Sequence, residues 1–190
     1  MEKISAGAFL PLPVAPIAIV GANVKGKANY MTVGFISGVN FAPPILCVSI
    51  NKNHHTPLGI IENETFSVNI PSVDYVKETD YCGLVSGKIV DKSNIFKTFY
   101  GELKTAPMIE EFPITCECVY TGQKVEFEMD VLYFGEVKQV YLNKDIADEN
   151  KKIDISKINP LTITIDSLYR SVGENVGTAY NIGKKYTVEK

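Results

Sequence analysis

His54 and His55 stand side by side and are the only histidines in this chain. An adjacent pair fits neither a zinc site, whose ligands come from separated positions, nor a hydrolytic triad, whose base is oriented by a distinct carboxylate. The cysteines are Cys47, Cys82, Cys116 and Cys118, and the last two form C-x-C on what reads as one strand face, which is not a zinc spacing. Four cysteines could make two disulfides, but their spacing is irregular and Met1-Glu2-Lys3-Ile4 opens no basic-then-apolar leader. Free thiols in a reducing cytoplasm are therefore expected. Glu126, Glu128 and Asp130 alternate with Val125, Phe127 and Met129, the period-two mark of a half-buried strand with a solvated acidic face. Neither a catalytic constellation nor a metal site is expected.

A binding pattern remains. Thr56 followed by Pro57 marks a helix start, with threonine as N-cap and proline where its missing N–H costs nothing. The backbone N–H groups and hydroxyl at such a start could meet a phosphate, helped by the helix dipole. Lys52, His54 and His55 lie just before it and could supply positive charge. The same residues are equally compatible with a capped helix behind an ordinary polar loop, and the residue types leave both readings open.

The elements that must position these groups are mostly strands. Residues 10–17 are extended by Pro11, Pro13 and Pro16. A buried strand over 17–24 turns at Gly26 into residues 29–39, and 31–39 and 45–50 form two β-like runs joined through Pro43-Pro44. Polar groups recur along them at Asn29, Thr32, Ser37, Ser49 and Asn51, more than a strand that only fills a core requires. A helix is expected over 56–63, a strand over 66–70 and a short helix over 74–80. A loop over 81–87 and a surface turn at 91–94 follow. Strands over 114–120 and 125–141 flank a turn at 121–124, a charged loop with a turn of helix fills 142–159, and 161–166 is the last clear strand. The tail, 167–190, carries Gly173, Gly177 and Gly183 and has no period. The expected architecture is all-β with short helices, an antiparallel barrel forming one domain over residues 1–190.

At 190 residues the chain can bury a proper core, and its 45% hydrophobic and 22% charged residues are ordinary for a soluble domain. A net charge of −3 gives no electrostatic basis for nucleic-acid binding. No apolar run approaches the ~20 residues of a membrane helix, so no membrane association is expected.

Taken in order, several stretches resemble the flavin reductase-like, FMN-binding split-barrel proteins, most closely the flavoredoxin branch. They are Asn29-Tyr30-Met31-Thr32-Val33-Gly34-Phe35-Ile36-Ser37, Ala42-Pro43-Pro44, Val48-Ser49-Ile50-Asn51-Lys52 and His54-His55-Thr56. Phe66-Ser67-Val68-Asn69-Ile70, Asp80-Tyr81-Cys82-Gly83, Cys116-Glu117-Cys118, Phe134-Gly135-Glu136-Val137 and Tyr169-Arg170-Ser171-Val172-Gly173 continue the match. The resemblance covers most of the chain and lies in the order and spacing of these stretches together. It implies an antiparallel split β-barrel with FMN held non-covalently at a homodimer interface. Carried over by position, Asn29, Tyr30, Met31 and Thr32 would line the flavin and its ribityl chain. Ser49, Ile50, Asn51 and Lys52 would present groups along one face, and His55 and Thr56 would approach the phosphate. Asn69 would fix the flavin from a neighbouring strand, and Cys82, Gly83 and Ser86 would reach the site from a loop.

One departure bears on the electron donor. Many relatives carry Gly-Asp-His before the strand ending Gly-Glu-Val, and in the nicotinamide-using members that histidine lies near the incoming nicotinamide. Here the position reads Glu128-Met129-Asp130. The resemblance with this gap implies an FMN-dependent oxidoreductase or electron-transfer flavoprotein fed by a ferredoxin-like protein rather than efficiently by NAD(P)H. The alternative is a non-catalytic flavin- or haem-binding module on the same barrel, in which the histidines would be axial ligands. The flavin itself carries the redox chemistry, which is consistent with the lack of a side-chain acid or base.

Overall fold

The computed structural model describes residues 1–150 and 152–187; the last residues of the tail read as aperiodic, 188–190, lie outside them. Among the described residues there are twelve strands: β1 (Val14–Pro16), β2 (Ala18–Val24), β3 (Lys27–Val33), β4 (Ile36–Phe41), β5 (Pro44–Asn51), β6 (Thr65–Ile70), β7 (Thr98–Phe99), β8 (Met108–Ile109), β9 (Ile114–Glu126), β10 (Asp130–Leu142), β11 (Leu161–Thr164) and β12 (Tyr169–Ser171). The α-helices are α1 (Thr56–Asn63), α2 (Val76–Leu84) and α3 (Ile155–Ile158).

Seven strands make one antiparallel sheet in the order β3-β2-β6-β9-β10-β5-β4. The sheet curls until β3 lies alongside β5, but no ladder joins them; the Ser49 N–H donating to the Phe35 carbonyl (2.9 Å) only extends the β4–β5 pairing to the residue before β4. This is a split barrel. A three-stranded sheet, β1-β11-β12, packs outside it.

The barrel closes on apolar side chains that alternate along its strands. Val20, Met31, Val48, Ile50, Phe66, Val68, Cys118 and Val131 form the inner cluster. Every residue of β2 is buried, because its other face is covered as well. There Ile19, Tyr30, Phe96 and Phe112 make a second cluster, with the Phe96 ring edge-on to both Tyr30 and Phe112. Gly135 lets β10 cross the Phe66 ring, where a Cβ would collide with the aromatic carbons.

The structure corrects four local expectations. The β-like run 31–39 is two strands, because the chain breaks at Gly34-Phe35 to cross the split. The helix expected at 74–80 is a 3-10 turn, Val73–Tyr75, followed by α2, which runs on to Leu84 through residues expected to be loop. The turn expected at 121–124 is strand: β9 continues through Gly122 to Glu126, and the reversal falls at 127–129. Val125, Phe127 and Met129 alternate as predicted but lie at an exposed hairpin tip, 44%, 58% and 67% accessible, not on a half-buried face. Period two reports alternation and is silent on what covers either face.

Candidate functional site

The site lies where the start of α1, the end of α2 and the segment 85–92 converge beside β3. Pro57 occupies the first turn of α1 and fixes its start. His55, not Thr56, is the N-cap, and it makes no side-chain cap bond. Thr56 is the first helical residue, and its hydroxyl accepts from the Asn29 amide of β3 at 2.7 Å. The two side chains are 1% and 5% exposed, so this bond anchors the helix start to the sheet from inside. No acidic residue sits in the first turn of α1, so its positive dipole end is not neutralised.

Lys92 faces this helix start from the loop. The residue is 3% exposed, and its ammonium donates to the carbonyls of Cys82 (3.0 Å) and Val85 (2.9 Å) at the C-terminal end of α2. Free carbonyls and the negative dipole end of the helix compensate a cation there. Among the described residues no carboxylate lies within ion-pair distance of it. Burial lowers the Lys92 pKa. Burial also holds both imidazoles below the ordinary histidine value, with further repulsion from Lys92 and Lys88 at His54 and from Lys88, Lys25 and Lys92 at His55. His55 Nδ1 is buried with no hydrogen-bond partner among the described residues. A buried polar atom without a partner costs on the order of 1–3 kcal/mol.

Two adjoining cavities occupy this convergence, of ≈ 90 Å³ and ≈ 310 Å³, and share His55, Gly87 and Lys92 in their walls. Gly87 keeps the junction open: a Cβ there would strike the Asn29 side-chain oxygen and the His55 ring. Lys25, Lys27 and Lys88 line the larger cavity, with Asp91 paired to Lys27 at 2.9 Å. Among the described residues Lys25 and Lys88 pair with no carboxylate; with the open helix start and the unpaired imidazole nitrogen they make a place for an anion, and a phosphate fits it.

Of the sequence-selected residues, Met31, His55, Thr56, Cys82, Gly83 and Ser86 line the smaller cavity, and Asn29 and His55 the larger. Met31 Sδ also lies 2.9 Å from His54 Nδ1. Cys82 is buried, and burial pushes its thiol up to about 11, so it lines the wall as a neutral thiol. Thr32 turns toward α2, donating to the Thr79 carbonyl and packing on Gly83.

Three positions face elsewhere. Tyr30 is fully buried in the second cluster, with its hydroxyl bonded to Thr98 at 2.7 Å. Ile50 is in the barrel core. Asn69 is fully buried, and its amide is used up by the Ile19 carbonyl, the Ser67 hydroxyl and the Ile109 N–H. Ser49, Asn51 and Lys52 lie across the split on β5 and its end and line neither cavity; Asn51 caps its own turn at the Asn53 N–H. The pleat sets Tyr30 apart from Asn29 and Met31, because successive side chains of a strand point to opposite faces. Conversely, Lys92 and Gly87 escaped sequence reasoning. The stretch Asp91-Lys92-Ser93-Asn94 reads as a surface turn, and only the fold shows that its lysine points inward.

Residues 13–168 match the family model described as a flavin reductase like domain. The crystal structure of flavoredoxin from Methanosarcina acetivorans is 46% identical, with a TM-score of 0.93 over 97% of this chain and 98% of that one. Flavoredoxin of Desulfovibrio vulgaris (Miyazaki F) is 29% identical, with a TM-score of 0.87 over 96% of this chain and 100% of that one. The FMN-binding protein of Thermus thermophilus shares the fold at 22% identity, with a TM-score of 0.80 over 94% of this chain and 99% of that one. An uncharacterised protein of Aeropyrum pernix is 30% identical over 139 residues, which are 70% of this chain and 51% of that protein, so the match spans about half the length of that relative.

Proposed function

This chain belongs to the flavin reductase-like domain family, and from that premise we propose that it is an FMN-binding oxidoreductase of the flavoredoxin type, working as a homodimer. The observation that carries the proposal is the buried Lys92 ammonium beside the unneutralised start of α1 and the unpaired His55 Nδ1. Bound there, FMN would supply the electron-carrying isoalloxazine, chemistry that no side chain of the chain provides. Thr56 and His55 would hold the phosphate. Lys92, fixed by its two carbonyl partners, would hold a positive charge against it without reorienting. Gly87 would admit the ligand between Asn29 and His55.

The electron donor in this proposal is a small iron–sulfur or flavin protein. Its support is the sequence at the β9–β10 tip, Glu128-Met129-Asp130, which offers no imidazole to a nicotinamide.

Titration of the flavin-free protein with FMN and with riboflavin, followed by flavin fluorescence, tests the binding. FMN should bind at least tenfold more tightly, because riboflavin lacks the phosphate. The margin should widen between pH 8 and pH 6.5. His55 is held neutral by burial and by the lysines around it; a phosphate in contact raises its pKa, so binding takes up a proton and strengthens as pH falls. A protein that quenches neither flavin sinks the proposal.

A further inference from the structure

The two adjoining cavities hold cations of different kinds. Lys92, shared between them, is buried and pinned by the Cys82 and Val85 carbonyls, so its charge has one position. Lys25, Lys27 and Lys88 line only the larger cavity and are exposed. A fixed, buried charge holds a ligand that is already seated. An ammonium on a flexible stem in water adds little to a seated contact, because solvent screens it and ordering the stem costs entropy. Its field still reaches about 10 Å through about 0.1 M salt. Charges at the rim of a site therefore act on the rate of arrival, and those in its interior on the rate of departure.

The larger cavity is arranged for arrival. Lys25 stands in the turn between β2 and β3 and Lys88 in the segment 85–92, two elements far apart in sequence. Among the described residues neither pairs with a carboxylate. Their fields meet at His55, whose pKa is lowered by burial and then by Lys88, Lys25 and Lys92. His55 is also where the two cavities join.

Lys27 lies on the same wall and is held differently. Its ammonium is 2.9 Å from the Asp91 carboxylate, and the two side chains are 72% and 49% exposed. Asp91 also accepts the Ser93 N–H at 3.0 Å, and its bonds to Ser93 and then Lys27 hold its carboxyl well below the usual carboxylate range. Asp91 is therefore ionised and cancels one of the three exposed charges. An uncharged ligand gains nothing from such a wall. A ligand with a dianion at one end is drawn to it and turned by it.

We propose that the larger cavity is a capture site for the phosphate end of an incoming flavin mononucleotide. Lys25 and Lys88 speed its arrival, Asp91 restrains it by neutralising Lys27, and none of the three sets how long the bound flavin stays. The capture site rests on the FMN reading above and adds to it a division between the lysines that catch the phosphate and the one that keeps it.

The test is stopped-flow mixing of the flavin-free protein with FMN and with riboflavin, followed by flavin fluorescence at low and at high salt. The double variant Lys25→Gln, Lys88→Gln should take up FMN at least about fivefold more slowly at low salt, and the difference should fade at about 0.5 M salt. Its FMN dissociation rate and its riboflavin association rate should stay within about twofold of the parent. Asp91→Asn keeps an oxygen for the Ser93 N–H but frees Lys27, so it should take up FMN about twofold faster or more at low salt. All three positions are exposed, so both variants should keep the circular dichroism of the parent. FMN association that neither variant changes overturns the capture site and leaves the FMN reading standing. Faster dissociation in the double variant, with association unchanged, also overturns it, because Lys25 and Lys88 would then be contacts of the seated phosphate. A protein that quenches neither flavin removes the FMN reading and the capture site together.

Discussion

At the scale of single residues, the candidate site depends on one buried side-chain pair and on a glycine beside it. Asn29 fixes Thr56, Thr56 opens α1, and Gly87 leaves room between Asn29 and His55. Thr56→Ala removes the hydroxyl that receives Asn29 and would meet a phosphate. The loss of about one charge-assisted hydrogen bond, worth about 1.5–3 kcal/mol, should weaken FMN by about tenfold or more and riboflavin by less. Gly87→Ala should weaken both flavins, because the added methyl fills space that any ligand crossing the junction needs. Parallel titrations of the two variants separate the cases. A Thr56→Ala protein that loses FMN and riboflavin equally would place the phosphate elsewhere.

At the scale of elements, Glu117 shows how the barrel holds its loops. It sits on β9 between Cys116 and Cys118 and is fully buried, although its neighbours in sequence suggest only an apolar strand. Its carboxylate accepts from the N–H groups of Glu102 (2.9 Å) and Leu103 (2.8 Å) and from the Tyr141 hydroxyl (3.0 Å). One buried charge therefore ties the 101–103 turn to β9 and β10. Replacing it by alanine leaves two N–H donors and a hydroxyl without an acceptor in the interior. Glu117→Ala should cost about 3 kcal/mol in urea unfolding, and Glu117→Gln should recover part of that loss through its carbonyl oxygen. Equal losses for both would mean that the carboxylate's second oxygen carries the clamp.

At the scale of the whole molecule, the barrel is a scaffold with one open side. β3 and β5 lie alongside each other with no ladder between them, and the apolar side chains of Phe35, Phe41, Phe127 and Met129 face outward. A molecule built this way suits a second copy and an external electron donor more than a self-contained catalytic pocket. Anaerobic stopped-flow reduction of the FMN-loaded protein should be at least tenfold faster with a reduced ferredoxin than with NADH or NADPH at equal concentration. Rapid turnover with NADH and free FMN would show that the missing histidine is dispensable for nicotinamide oxidation.

The sequence by itself determined the architecture and one end of the site. Alternating apolar residues with turn signals specify strands, and Thr56-Pro57 specifies a helix start, because both are short-range consequences of backbone sterics and side-chain period. The order of the family-like stretches led to the flavin, which no spacing of chemical groups could have indicated. Tertiary structure decided which side of each strand meets the cavities. It turned the side chains of Tyr30, Ile50 and Asn69 into the packed interior, and it brought Lys92 inward from a stretch that reads as surface. Those outcomes depend on burial and on the negative end of α2, which are set by segments distant in sequence. A lysine's charge is legible from its name; whether the fold neutralises that charge is not.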